Sequence, residues 1–135
     1  MKKILALILI MVTVFILPLP AHAHNTMHES IIVPYWTWTD VIKNALDISD
    51  SGRADITAYI ITSKADKLKI ETNLQQKDGS SWTTLKTWTK TDDNSTTLVS
   101  GSYYVKRGYY YRLKTAFYVY SDGELKETIN DKTVT

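Results

Sequence analysis

Few kinds of side chain in this chain of 135 residues could do covalent or metal chemistry. It has no cysteine, and after residue 23 its only histidines are His24 and His28, in a polar stretch. Catalytic triads and zinc sites need such ligands in fixed geometry, and no glycine-rich phosphate loop is present. Carboxylates remain, but most lie in turn sequences such as Asp50-Ser51-Gly52, where aspartate bonds to the backbone. We therefore predict a protein that is not an enzyme and that holds no cofactor and no metal.

Aromatic and cationic side chains are better candidates for a functional site. All four tryptophans and all nine tyrosines follow residue 23. Alternation between Gly108 and Tyr120 predicts one mostly apolar face and one amphipathic face. The first face comprises Tyr109, Tyr111, Leu113, Thr115, Phe117 and Val119, and the second comprises Tyr110, Arg112, Lys114, Ala116, Tyr118 and Tyr120.

The amphipathic face suits contact with a glycan or a protein, because tyrosine rings stack on sugars and cations bind polar groups. We predict that its binding residues are Tyr110, Arg112, Lys114, Tyr118 and Tyr120. The alternative is that these tyrosines are ordinary β-formers on a solvated sheet.

Two tryptophans, Trp36 and Trp38, stand in a dense apolar stretch around Pro34. One interpretation is that the stretch closes the open end of a β-sandwich, where a lead-in position tolerates the proline. The other is that the two indoles are exposed and bind a sugar or a partner. Both interpretations remain open at this stage.

These side chains must be positioned by strands, since no helical period is present after residue 23. Alternation between turn signals predicts seven strands, over residues 41–48, 53–62, 67–77, 81–90, 96–105, 108–120 and 124–134. Short strands at such regular spacing predict an all-β sandwich of antiparallel sheets.

The first 23 residues predict a secretory signal peptide. Lys2 and Lys3 precede an apolar run that is too short to span a membrane, and Ala21-His22-Ala23 offers a cleavage site. We predict cleavage after Ala23, a lead-in segment over residues 24–39 and a sandwich domain over residues 40–135. Cleavage after Ala21 would instead leave an N-terminal histidine motif that chelates copper or nickel.

Removal of the signal peptide also changes the net charge. The full chain has 16 basic and 14 acidic residues, and two of the lysines leave with the signal. The remaining chain is balanced, so we predict that neither nucleic acid nor an anionic membrane is a partner. We predict a secreted protein, extracellular or loosely associated with the cell wall, with no integral membrane segment after cleavage.

The segment from Val105 to Leu113 resembles the tyrosine corner of immunoglobulin-like and fibronectin type III domains. The resemblance implies that Gly108 occupies the tight turn and that Tyr111 hydrogen-bonds back to the preceding loop. Antibody domains have a cysteine two residues after this tyrosine, where this chain has Leu113, so the fibronectin type III variety is the closer match. The hairpin containing Trp82, which we expect to be structural, resembles the third and fourth strands of such modules.

Several blocks also resemble a family of small secreted proteins of unknown function from Gram-positive bacteria. They include Gly52-Arg53-Ala54, Gly79-Ser80-Ser81-Trp82 and Leu85-Lys86-Thr87-Trp88. The resemblance implies a fold and brings no catalytic or binding residues. The expected function is a secreted β-sandwich that binds an extracellular glycan, cell-wall component or protein, and the alternative is a secreted antagonist or toxin-like protein.

Overall fold

The computed structural model of the chain describes residues 36–135. The predicted signal peptide, its cleavage site and most of the predicted lead-in segment lie outside the described residues. Within residues 36–135 the regular elements are seven β-strands. They are β1 (Val41–Ile48), β2 (Arg53–Ile61), β3 (Lys67–Asp78), β4 (Ser81–Asp92), β5 (Thr96–Tyr104), β6 (Tyr111–Ser121) and β7 (Glu124–Val134).

The strands form two antiparallel sheets, so the predicted all-β sandwich is confirmed. The three-stranded sheet has the order β1-β2-β5, and the four-stranded sheet has the order β4-β3-β6-β7. The chain therefore crosses between the sheets after β2, after β4 and after β5. This order makes β3 and β6 the two inner strands of the larger sheet, with their outward side chains side by side.

One side of each strand forms the core because side chains alternate across a strand. The inward positions of β2, β3 and β6 are almost fully buried, and Phe117 is the largest of the fully buried side chains in the described residues. Burying an aliphatic or aromatic side chain of this size contributes about 1.5 to 3 kcal/mol. The buried apolar residues are Ala54, Ile56, Ala58, Ile60, Leu68, Ile70, Leu74, Val99, Tyr111, Leu113, Phe117, Val119 and Ile129.

Polar side chains also cross the core and join the two sheets. The Thr115 hydroxyl on β6 donates to Asn44 Oδ1 on β1 at 2.8 Å, and it lies 2.6 Å from the Thr72 hydroxyl on β3. Because Thr115 has one hydroxyl hydrogen, Thr72 must be the donor in the second bond. The Thr133 hydroxyl on β7 donates to the Asn44 carbonyl at 2.9 Å. Among the described residues, no buried side-chain polar atom is left without a partner.

The turn between β6 and β7 shows how local sequence fixes a hairpin. Asp122 and Gly123 both have positive φ, 54° and 76°. Two such residues are what a type I′ turn requires, and Asp-Gly is a preferred pair for it. This hairpin aligns β7 beside β6 and so completes the larger sheet.

The start of β6 differs from the sequence prediction. The strand begins at Tyr111, and residues 105–110 form a loop with Gly108 at φ 84°. Tyr109 was expected on the apolar face but is 51% exposed, because it lies in this loop before the alternation begins. From Tyr111 onward the inward and outward positions are as predicted.

Candidate ligand-binding face

The outer face of the four-stranded sheet gathers most of the predicted binding residues. Arg112, Lys114, Tyr118 and Tyr120 occupy outward positions of β6. Directly opposite them on β3 are Gln75, Asn73, Lys69 and Lys67, respectively. The side chains therefore form cross-strand rows on one surface, within contact distance of their neighbours.

Arg112 is held at one end of this face by an aromatic ring and an amide. Its guanidinium carbon lies 4.2 Å from the centre of the Trp82 ring, and its Nε donates to Gln75 Oε1 at 2.7 Å. The Gln75 amide in turn donates to the Thr84 hydroxyl at 2.9 Å. Stacking and a neutral acceptor orient the guanidinium without neutralising its charge.

Tyr110 extends the same end of the face although it precedes β6. Its carbonyl accepts a hydrogen bond from the Lys77 amide at 2.9 Å, which continues the ladder beyond the strand. The Lys77 ammonium lies 5.8 Å from the centre of the Tyr110 ring, and Trp82 is the partner of Lys77 on β4. The Tyr110 side chain is 67% exposed, so most of its surface is available to a ligand.

The other end of the face contains Tyr118 and Tyr120, both half-buried. The Lys69 ammonium lies 5.0 Å from the centre of the Tyr118 ring. Tyr120 lies opposite Lys67, which has a 3.5 Å ion pair with Asp93. An open depression of about 630 Å³ lies here, lined by Asp66, Lys67, Lys69, Thr91, Asp93, Tyr120 and Gly123.

The centre of the face is cationic and polar. Lys114 lies directly opposite Lys132 on β7, and both side chains are exposed. On the other side of Lys114 is Asn73, whose Oδ1 accepts a hydrogen bond from the Thr87 hydroxyl at 2.6 Å. Within residues 36–135, neither Lys114 nor Lys132 has an ion pair with a carboxylate.

Charge is concentrated on this surface. The outward positions of strands β3, β4, β6 and β7 carry one carboxylate, Glu71, and six cations. The six cations are Lys67, Lys69, Lys77, Arg112, Lys114 and Lys132. We call the surface around them the basic face. The balance of acidic and basic residues after residue 23 thus conceals a local excess, because the acidic residues lie mainly in turns and on other surfaces.

Trp36 and Trp38 are placed away from the basic face. Both are half-buried and pack against the core. Their segment is tied to β7, since the Thr39 hydroxyl donates to a Glu127 carboxylate oxygen at 2.8 Å and the Thr37 amide donates to the other oxygen at 3.0 Å. The segment therefore closes the sandwich, and its two indoles do not form an exposed pair.

Tyr111 and Gly108 form the corner that leads into β6. The Tyr111 hydroxyl donates to the Lys106 carbonyl at 2.5 Å, and its ring is buried. Burial raises the pKa of Tyr111, and the adjacent Tyr109 adds to the increase. The corner holds the first outward residue of β6, Arg112, in register with Gln75.

Trp82 is the aromatic residue whose position the sequence analysis did not anticipate. It belongs to the outer face and is not part of the core, although its ring is half-buried under Arg112. The sequence does contain a signal for this position, namely the two-residue turn after Asp78. Pairing Asp78 with Ser81 across that turn places Trp82 opposite the outward Lys77. Lys132 was also missed, since its position depends on a bulge between β6 and β7.

The described residues offer little for other kinds of site. In residues 36–135, no three histidine, aspartate or glutamate side chains gather closely enough to hold a metal ion. No helix in that part of the chain has the length and apolar character needed to cross a bilayer. The outer face of the four-stranded sheet instead presents cations, amides, hydroxyls and aromatic rings to a ligand.

No protein-family model and no curated protein matches the chain. Among solved structures, it is similar to part of a glycosyl hydrolase family 2 member from Bacteroides cellulosilyticus, with 11% sequence identity and a TM-score of 0.43. The match covers 70% of this chain and 15% of that chain, so the protein spans a small part of the length of that hydrolase.

Proposed function

We propose that this protein is a secreted, non-enzymatic binding module that contacts an extracellular glycan or protein through the outer face of its four-stranded sheet. The observation that carries the proposal is the joining of Arg112, Lys114, Tyr118 and Tyr120 with Trp82 on one continuous surface. Aromatic rings and arginine are the side chains most enriched at recognition surfaces.

The geometry of the surface supports binding because its side chains are already oriented. Arg112 is fixed by Trp82 and Gln75, and Tyr118 is in contact with Lys69. Side chains that are ordered before binding lose less entropy when a ligand arrives. The alternative of a merely solvated sheet does not require such an excess of cations beside the rings.

We further propose that the sandwich is of the fibronectin type III-like kind. The tyrosine corner supports this assignment, since the Tyr111 hydroxyl bonds to a carbonyl five residues upstream at the start of β6. The strand order supports it as well, because β4 pairs with β3 and leaves a sheet of three strands. Secretion rests on the predicted signal peptide, and sequencing the N-terminus of the exported protein tests it.

The binding proposal is tested by retention of the folded protein on isolated cell wall, on immobilised polysaccharides and on extracellular matrix proteins. The test variant is Tyr118→Ala/Tyr120→Ala, which removes two rings from the proposed surface. The matched control is Tyr59→Ala/Tyr104→Ala, which removes two rings from the outer face of the three-stranded sheet.

We expect the wild type and the control to be retained on at least one support, and the test variant to lose most of its retention. Thermal unfolding of all three proteins shows that each is folded at the assay temperature. Equal retention of the test variant and the wild type would remove this face as the binding surface.

A further inference from the structure

We infer that the ligand of the basic face is an anionic polysaccharide, whose acidic groups are bound by Arg112, Lys114 and Lys132. This inference rests on the proposed function and goes further, because it assigns the chemical class of the ligand and the groups that recognise it.

Lys114 and Lys132 are a pair of like charges directly opposite each other on adjacent strands. In such pairs the Cβ atoms are about 4.5 to 5.5 Å apart, and the repulsion destabilises the sheet. Within residues 36–135 no carboxylate is ion-paired with either lysine. A carboxylate or sulfate group placed between the two ammonium groups would remove the repulsion and bond to both.

Arg112 precedes Lys114 by two residues and so lies about 7 Å away on the same face. Its Nε is hydrogen-bonded to Gln75, and one face of its guanidinium lies against the Trp82 ring. The terminal guanidinium nitrogens make no hydrogen bond to the described residues, so two parallel donors remain. A guanidinium in this state binds an anionic group in bidentate fashion, and it is held in place before the anion arrives.

Neutral hydrogen-bonding groups separate the cations and suit the hydroxyls of a sugar. The Asn73 amide oxygen is bonded to Thr87, which leaves the amide hydrogens free to donate. Outward positions further along the sheet carry more hydroxyls and amides, namely Thr89, Thr91, Thr128 and Asn130. A polymer that alternates acidic groups with hydroxyl-rich rings matches this pattern.

The rings of the face favour a polysaccharide over a single-stranded nucleic acid. Stacking of successive bases requires a run of open aromatic faces. Here the Trp82 ring is covered by Arg112 and the Tyr118 ring by Lys69. Tyr120 has no cation over its ring among the described contacts, and one such ring suffices for a sugar beside the cations.

The inference is tested by measuring the binding of the protein to five soluble probes by isothermal titration calorimetry at several salt concentrations. Dextran sulfate and polygalacturonate are the anionic polysaccharides, and unmodified dextran is the neutral one. Polyphosphate and single-stranded DNA serve as anionic polymers without the polysaccharide backbone. The test variant is Lys114→Gln/Lys132→Gln, and Lys86→Gln/Lys106→Gln is the control with the same change of charge elsewhere.

We expect binding to at least one anionic polysaccharide, with an affinity that falls as salt increases because counterions are displaced. The test variant should bind about tenfold more weakly and with a shallower salt dependence, and the control should bind as the wild type does. Arg112→Lys, which keeps the charge and removes the planar donors, should also weaken binding.

Equal affinity for dextran and for the anionic polysaccharides would overturn the inference, and so would unchanged binding by the test variant. Binding to DNA or polyphosphate at least as tight as to either anionic polysaccharide would overturn the choice of a polysaccharide. Loss of dextran binding in the Tyr118→Ala/Tyr120→Ala variant, with normal binding by the lysine variant, would leave the proposed function standing and remove the anionic ligand.

Discussion

At the scale of single residues, two tyrosines that are adjacent in sequence have different roles. The Tyr111 side chain is buried and its hydroxyl is bonded to the Lys106 carbonyl, whereas Tyr110 is mostly exposed beside Lys77. The difference follows from their positions at the start of β6, where Tyr111 is the first strand residue and points inward, and Tyr110 precedes it on the outer side.

The Tyr111→Phe variant tests the buried hydroxyl. Its loss leaves the Lys106 carbonyl without this donor and should lower the free energy of unfolding by about 1 kcal/mol. Tyr110→Phe removes an exposed hydroxyl and should be close to neutral. Urea unfolding of both variants measures the difference, and a larger loss for Tyr110→Phe would mean that the strand faces the other way.

Substitution of the buried threonines Thr72 and Thr115 tests the hydrogen bonds that link the two sheets through Asn44. Thr115→Val keeps the shape of the side chain and removes both its bond to Asn44 and the acceptor for Thr72. Unsatisfied buried groups of this kind should cost about 1 to 3 kcal/mol in urea unfolding. Adding Thr72→Val should cost less than its effect alone, because its partner is already lost. Strictly additive losses would contradict the proposed chain of hydrogen bonds.

At the scale of strands and turns, the sequence predicts the elements well and their registers less well. Alternation and turn residues place all seven strands, because these signals are local. The composition of a face depends also on bulges, which add one residue to one strand and shift every later pair. Such shifts depend on the packing of the whole sheet and leave no clear local signal.

The bulge between β6 and β7 shows the consequence for charge. The turn pairs Ser121 with Glu124, and continuation of that register would place Asp131 opposite Lys114. The shift between Val119 and Tyr120 places Lys132 there in its stead, and Asp131 lies opposite Thr115. The added residue therefore places Lys114 opposite a second lysine, where the unshifted register would have placed it opposite an aspartate. Lys132 was not predicted from the sequence for this reason.

The contact between β4 and β5 closes one side of the sandwich and depends on a glycine. A Cβ atom at Gly101 would lie 2.4 Å from Trp88 Nε1, and the Trp88 ring packs against the core. Gly101→Ala should therefore destabilise the protein by about 1 to 3 kcal/mol in thermal or urea unfolding. Ser100→Ala, at the adjacent exposed position, should change stability by less than about 0.5 kcal/mol. Equal stability of the two variants would show that the strands separate at this point without cost.

The same pair of strands is linked by Asp92 and Thr97, and this link should respond to acid. The Thr97 hydroxyl donates to the Asp92 carboxylate, and this bond, with help from Lys90, lowers the pKa of Asp92 below its ordinary 3.8. The stabilisation is complete above pH 3.8 and is lost as the pH falls through the lower pKa of the folded state.

Urea unfolding between pH 7 and pH 2 measures this contribution. Asp92→Asn should be less stable than the wild type at pH 7 and should lose less stability on acidification. Asp93→Asn, which removes an exposed ion pair with Lys67, is the control and should change the acid response less. An acid response in Asp92→Asn identical to that of the wild type would contradict the role given to this carboxylate.

At the scale of the whole molecule, the two sheets differ in the charge that they present. The outer face of the three-stranded sheet balances Lys43 and Arg53 against Asp47 and Asp55, whereas the basic face has six cations and Glu71. Net charge counts residues without regard to where they lie. It therefore did not reveal a polarity that appears only when the strands are assembled into sheets.

The candidate face was predictable only in part for the same reason. Alternation along one strand identified Arg112, Lys114, Tyr118 and Tyr120, since that pattern is contained in consecutive residues. Their neighbours on β4 and β7 required the strand order and the bulges. The positions of Trp36 and Trp38 were not predictable for a different reason. An apolar pair in the sequence gives no indication of whether the core or a ligand covers it.

Binding through the basic face is tested most directly by residue-by-residue mapping of the contact surface by ¹H–¹⁵N NMR during titration with a polysaccharide that the protein binds. We predict that the largest chemical-shift changes occur in β3, β6 and the facing part of β7, centred on Lys114, with small changes in β1 and β2. Changes centred on the three-stranded sheet or on the Trp36–Trp38 segment would contradict it.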